Sequence, residues 1–224
     1  MVSPSTTLVV YNENEIHVPS ATVMSATFAK YDISVSEQQI SQIQRYMACL
    51  VFWNQRVSLT SVTDPMEILE RHFAESLLAA PLITQKEGRL ADVGTGPGFP
   101  SLALKIALPN LQVLLIERNT KKCAFLNEVI RFLDLDQVSV LRSDYAEISP
   151  SLRKFDCIVA RAVGDHKALL RWSVARLAPA GQLILWLGQQ DAIKISQSKC
   201  CSWDQPIPIP NSQRRLILVG HQDP

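Results

Sequence analysis

The sequence predicts an α/β fold, a mostly parallel sheet with helices on both faces, standing behind a small helical unit. Three observations predict it. From residue 88 onward, short apolar runs alternate with helical patterns, and that alternation builds parallel sheets. The run ending Val113-Leu114-Leu115-Ile116 is apolar without a break, as suits a strand buried on both faces. Arg89 to Val93 passes straight into Gly94-Thr95-Gly96-Pro97-Gly98, a bend at the carboxyl end of a strand.

The elements follow in order. Residues 1–33 have no clear periodicity and are expected to form an irregular extension. Residues 34–84 read as a helical unit. Ser36 and Gln39 form a capping-box pair, followed by Ile40, Ile43, Met47, Leu50 and Val51 at helical spacing. Thr63-Asp64-Pro65 opens a second helix that carries Ile68, Leu69, Phe73, Leu77 and Ala80 on one face and stops at Pro81. Residues 85–224 read as the sheet domain. Strands are expected over 89–93, 111–116, 138–141, 155–160, 182–187 and 215–219, and helices over 100–108, from Thr120, and over 166–177. Pro179-Ala180-Gly181 is a turn. Residues 189–204 read as a polar loop, and the alternating prolines of 205–210 suit only an edge.

Composition narrows the function classes. A chain of 224 residues with 47% apolar and 19% charged residues is a folded domain with a proper core, not a disordered chain. No apolar run is long enough for a membrane helix, and the first residues carry no signal-peptide pattern. Five scattered cysteines without a C-x-x-C pair suggest neither a disulfide framework nor a metal site, so a reducing, cytoplasmic setting is expected. Cys123 and Cys157 are expected to pack inside, and Cys200-Cys201 to be exposed. A net charge of +1 does not advertise a nucleic-acid binder, but a local patch suffices for one.

The chemistry should gather where strand ends converge. Those ends carry Asp92 with the glycine bend, then Glu117, then Asp144-Tyr145, then Arg161. The bend is G-x-G-x-G, with Phe99 and Pro100 crowding the helix start that a dinucleotide pyrophosphate needs. A ligand without phosphates fits better. Glu117, 23 residues after Gly94, could accept both hydroxyls of a ribose, and Asp92 could face an amino group or sulfonium. Those needs match S-adenosylmethionine. The plain alternative for Arg161 is an ion pair with Asp156 or Asp165. Arg118, Lys121, Lys122, Arg142, Arg161 and Lys167 could together follow a phosphate backbone. Trp53 is expected to pack the helical unit against the sheet domain.

These residues resemble the RsmG family, also called glucose-inhibited division protein B, from about Ser36 to the last strand. The matching stretches are Trp53-Asn54, 57–62, Asp64-Pro65, Arg71-His72, 75–77, 92–100, Lys121-Lys122, Phe125-Leu126, Phe155-Asp156, 160–162 and 214–216. The resemblance implies a class I S-adenosylmethionine-dependent methyltransferase fold, Rossmann-like, with an antiparallel C-terminal strand. It implies methyl transfer to N7 of a guanine, position 527, in small-subunit (16S) rRNA, with the rRNA or the small ribosomal subunit as partner and neither membrane nor metal. The cofactor contacts it implies fall on Gly94, Phe99, Glu117, Tyr145, Ala146 and Arg161; Asp92 and Gly96 of the bend are expected beside them, and Arg161 is expected to act as the catalytic residue by ordering the pocket. This chain departs from the family pattern at Phe99, Ser101, Asp144, Ala146 and Leu187.

The implied chemistry needs little from the protein. Guanine N7 carries a free lone pair at neutral pH, so no proton leaves before attack. Catalysis is then positional: the reactants are held in line and water is excluded. The chain has neither the Pro-Cys nor the Thr-Cys dipeptide of cytosine C5 methylation, nor the Pro-Pro-aromatic motif of adenine amino methylation. Three other readings are a nicotinamide-dependent oxidoreductase, which the missing third glycine of the fingerprint disfavours, an RNA-binding module that keeps the fold with weak catalysis, and a small-molecule methyltransferase.

Overall fold

A computed structural model describes residues 16–149 and 154–222. The part of the N-terminal extension before residue 16 lies outside them. The rest of that extension is not irregular. Ser20 accepts a hydrogen bond from the Val23 N–H and caps α1 (Ala21–Ala29), which fully buries Met24 and Phe28. Its apolar residues do not follow a clean helical stripe, so periodicity alone misses it. Then comes α2 (Glu37–Asn54), opened by the Ser36/Gln39 capping box. Asp64 caps α3 (Pro65–Ile68), which runs through a π-helical turn (Leu69–Ala74) into α4 (Glu75–Leu77).

The sheet domain alternates as expected: β1 (Arg89–Val93), α5 (Ser101–Ala107), β2 (Gln112–Glu117), α6 (Thr120–Phe132), β3 (Val138–Arg142), β4 (Phe155–Arg161), α7 (His166–Val174) and β5 (Leu177–Gly188). The Pro179-Ala180-Gly181 turn lies inside β5, where the register against β4 shifts between Phe155 and Cys157. The segment read as a polar loop begins instead with α8 (Gln189–Ser196), whose Ala192 and Ile195 are buried. Two short strands, β6 (Ser202–Trp203) and β7 (Ile207–Pro208), lie against the closing β8 (Arg215–His221). Cys201, expected on the surface, is buried, while Cys200 is only partly so.

The sheet order is β3-β2-β1-β4-β5-β8-β6. Pairings from β3 through β5 are parallel, and β8 runs antiparallel to β5. The chain steps outward from β1 to β3, then returns to the other side of β1. That reversal opens a crevice at the strand ends. Register levels the tips: Val93 is opposite both Ile116 and Ala160, and Glu117 is opposite Arg142.

Strand alternation splits the core. Leu90, Cys157, Val159, Ile184 and Trp186 face one layer, and Ala91, Val93, Ile158, Leu183 and Leu185 face the other. The helical unit shares the first layer with α5 and α6, through Tyr46, Phe73, Phe99 and Phe125. Trp53 meets Phe125 edge-on at 5.8 Å, the packing expected of it. The unit is therefore part of the wall over the sheet.

Candidate active site

Two cavities meet at the strand tips. The larger, of about 510 Å³, is bordered by Gly94, Glu117, Arg118, Tyr145, Val163 and Asp165 among others. The smaller, of about 240 Å³, lies between the sheet and the helical unit and is bordered by Thr60, His72, Phe99 and Arg161. Gly94, Glu117, Lys122 and Ala162 belong to both. Ala162 holds the left-handed backbone (φ 58°), a strained state for a residue with a Cβ that is often found at functional sites.

The glycine bend is shaped by its own hydrogen bonds. The Gly94 and Thr95 N–H groups both donate to the Ile116 carbonyl, at 3.0 and 3.2 Å. The Gly96 N–H donates to Glu117 Oε2 at 3.1 Å. The Gly98 and Phe99 N–H groups donate to the Thr95 carbonyl, and Ser101 N–H to Asp92 Oδ2. Pro97 and Pro100 have no N–H to give. A glycine bend, with no side chain intervening, can bring backbone N–H groups close to a ligand, but every one of these donors is satisfied within the protein. A pyrophosphate would find no N–H cradle here. Gly94 takes φ +69° at the crevice wall, where an added Cβ would sit 3.2 Å from Val163.

Asp92 stands behind the bend and not in the crevice. It is fully buried, and its Oδ2 accepts from Thr95 Oγ1 at 2.7 Å and from the Ser101 N–H at 3.3 Å. The expectation that it faces a cationic ligand group gives way to a bracing role, because the bend folds back over it. Burial pushes its carboxyl up to about 6, against the pull of the Thr95 and Ser101 hydrogen bonds.

Glu117 does reach the crevice. Its Oε1 accepts from the Asn119 N–H at 2.8 Å while Oε2 takes that of Gly96. A carboxylate has about four acceptor positions, so two remain for hydroxyl donors. Tyr145 borders the larger cavity and meets Trp172 edge-on at 5.9 Å. Ala146 is exposed beside it, its N–H held by Asp144 Oδ1 at 3.1 Å. Arg118 and Lys122 border the same cavity, whereas Lys121 and Lys167 do not.

Phe99 is turned into the wall. Its ring lies between Tyr46, stacked at 5.1 Å, and His72, stacked at 4.9 Å. His72 Nε2 is 2.9 Å from Thr60 Oγ1. Burial, with the positive charges of Arg161 and Arg71, lowers the imidazole to about 3. His72 is neutral at physiological pH and a weak base.

Arg161 pairs with neither Asp156 nor Asp165. Asp156 takes the Arg89 N–H, and Asp165 caps α7. The partner is Glu75 of the helical unit, whose Oε2 accepts from Arg161 Nη2 at 3.2 Å. Glu75 Oε1 pairs with Arg215 Nη2 at 2.7 Å. Sequence reasoning did not single out Glu75 as a site residue. Its signal was an acid flanked by Phe73 and Leu77 on the predicted core face, a place an acid occupies only when paired.

A family model described as rRNA small subunit methyltransferase G matches residues 39–206. The chain is similar to the ribosomal RNA small subunit methyltransferase G of Desulfitobacterium hafniense (strain Y51), 38% identical over 77% of this chain and 73% of that one. It is similar to the protein of the same name from Roseiflexus castenholzii (strain DSM 13941 / HLO8), 40% identical over 84% and 86%. Among solved structures, a ribosomal protein L11 methylase from Lactobacillus delbrueckii subsp. bulgaricus superposes with a TM-score of 0.54 at 18% identity, covering 71% of this chain and 80% of that one. TrmN from Thermus thermophilus does so at 0.54 and 19%, covering 68% and 53%. These superpositions bear on the fold alone, which is the Rossmann-like methyltransferase fold.

Proposed function

The chain belongs to the rRNA small subunit methyltransferase G family, and from that premise we propose that it methylates N7 of a guanine, position 527, in small-subunit rRNA with S-adenosylmethionine as methyl donor. The observation that carries this reading is the pairing of a phosphate-averse crevice with a smaller cavity at its mouth whose one imidazole, His72, is a poor base. The bend has no free N–H for a pyrophosphate, and Glu117 keeps two acceptor positions for ribose hydroxyls. The 510 Å³ crevice lies within the roughly 300–1,000 Å³ range of small-molecule sites. His72, lowered to about 3, is too weak a base to take a proton near neutrality. Attack by N7 asks for none.

In this reading Gly94, Gly96, Glu117, Tyr145 and Ala146 hold the cofactor, with Phe99 and Arg161 at the edge toward the mouth. Asp92 supports the bend from behind. The cofactor supplies an electrophilic methyl carbon. The protein's own part is to orient the guanine, exclude water and balance charge as the base turns cationic. Arg118 and Lys122 border the larger cavity and, with Lys121 exposed at the start of α6, suit an RNA backbone.

Small-subunit particles incubated with the protein and labelled cofactor test the reading. Label should enter the rRNA, and N7-methylguanine should map to one site, missing in cells without the gene. S-adenosylhomocysteine should bind and NAD should not. Cofactor binding without rRNA label would favour an RNA-binding module, and label leaving with small molecules a different methyl acceptor.

A further inference from the structure

Glu75 is the one acid of the helical unit inside the wall of the mouth, and the chemistry above leaves it unassigned. Its side chain is 3% exposed. Three strands converge on it: Arg161 ends β4, Arg215 opens β8, and Trp186 of β5 donates its indole N–H to the Glu75 backbone carbonyl at 2.9 Å. The π-helical turn Leu69–Ala74 directly precedes it. Such turns insert an extra residue and recur at functional sites. Here one segment lets His72 border the cavity while Glu75 meets Arg161.

Arg161 has a buried guanidinium nitrogen, Nη1, with no hydrogen-bond partner among the described residues, and the residue borders the 240 Å³ cavity. An unsatisfied buried donor is costly, so a donor kept in that state beside a cavity suits an incoming acceptor. A guanidinium on its flexible stem needs an external clamp to present one nitrogen in one place. Resting on the methyl-transfer reading, we propose that Glu75 is a positioning residue: Arg215 anchors one carboxylate oxygen, the other fixes Arg161, and Arg161 Nη1 is thereby offered at the mouth. Glu75 also offsets part of the guanidinium charge that Arg161, Arg215 and Arg71 gather beside a reaction whose product base is cationic. An uncompensated cation there would oppose the transfer.

The test is a double-mutant cycle read by single-turnover methyl transfer on small-subunit particles. Glu75→Gln keeps the shape and removes the charge. It should lower the rate about tenfold to a hundredfold, the scale of a misplaced catalytic group, and leave KM for the particle unchanged. In an Arg161→Ala background the same substitution should cause no further loss. Equal losses in both backgrounds, or an unchanged rate in the single variant, overturn the proposal. Should Glu75→Gln fail to fold by thermal melting, Arg215→Gln goes through the same cycle under the same criterion, since it removes the anchor and leaves the Glu75–Arg161 pair. Wild-type protein that labels no rRNA sinks the methyl-transfer reading itself. A labelling wild type with additive losses sinks the positioning role alone.

Discussion

The crevice and the mouth share Gly94, Glu117, Lys122 and Ala162, yet they are built by different means. The crevice is made of strand tips and the turns that directly follow them, and it meets the glycine bend at Gly94; the bend, held by donors of its own backbone at Gly94, Thr95 and Gly96, also borders the mouth. The opposite wall of the mouth is made of side chains brought from far apart. Glu75 and Arg161 are 86 residues apart, and Glu75 and Trp186 are 111 apart. A pocket built at strand tips can be read from short local motifs that the sheet register lines up. A pocket that selects and orients a reacting base needs charges facing one another across two layers.

Four predictions would break or sharpen that contrast. The largest effect belongs to the backbone-built side. Gly98 sits at φ +96°, and a Cβ there would run into Tyr46 Oη and Leu102. Gly98→Ala should destabilise the protein by about 2–5 kcal/mol, from left-handed strain plus overpacking, and should abolish cofactor binding. Denaturant melts and binding titrations read both. A variant of full stability would mean that the bend is not held as described.

Next comes Glu117→Gln. Loss of a charged acceptor should weaken S-adenosylhomocysteine about tenfold to a hundredfold by calorimetry, with the fold intact. Unchanged affinity would remove Glu117 from the cofactor site.

The third prediction sets one group from each side against the other. His72 is lowered to about 3 from 6.5, so its contribution to stability is present above pH 6.5 and is lost as pH falls toward 3. Asp92 is raised from 3.8 to about 6, so its contribution is present below pH 3.8 and is lost as pH rises through 6. Between those limits the two slopes oppose each other. His72→Gln should leave stability falling as pH rises from 4 to 6, and Asp92→Asn should leave it rising. Thermal melts across that window decide it, and parallel curves for the two variants would contradict the assignment.

The smallest effect lies outside both cavities. Lys121 is exposed at the start of α6. Lys121→Ala should lower the slope of log affinity for rRNA against log salt by about 1. Cofactor affinity should stay as it was. An unchanged salt slope would take this face out of the RNA contact.

Much of the fold was legible before the structure. The capping box at Ser36, the Asp64-Pro65 helix start, and the alternation of apolar runs with helical stripes are local patterns, and each became the expected element. The misses were elements whose burial is decided by distant partners. The helix Ala21–Ala29 buries Met24, Thr27 and Phe28 at helical spacing, but exposed Ala21, Val23, Ala26 and Ala29 blur the stripe in the sequence. The helix Gln189–Ser196 hides two small apolar contacts in a polar run.

The candidate site divides along the same line. By itself the sequence determined the sheet, the glycine bend at its first strand tip, and the acid at its second, because these depend on neighbours in the chain and on a register that repeats. Only the tertiary structure decided that the bend's N–H groups are all spent, that Asp92 lies behind it, and that Arg161 answers to Glu75 and not to the acids beside it in sequence. The physical reason is that a buried charge takes whichever counter-charge the packed layers bring within reach, and separation along the chain does not set that distance.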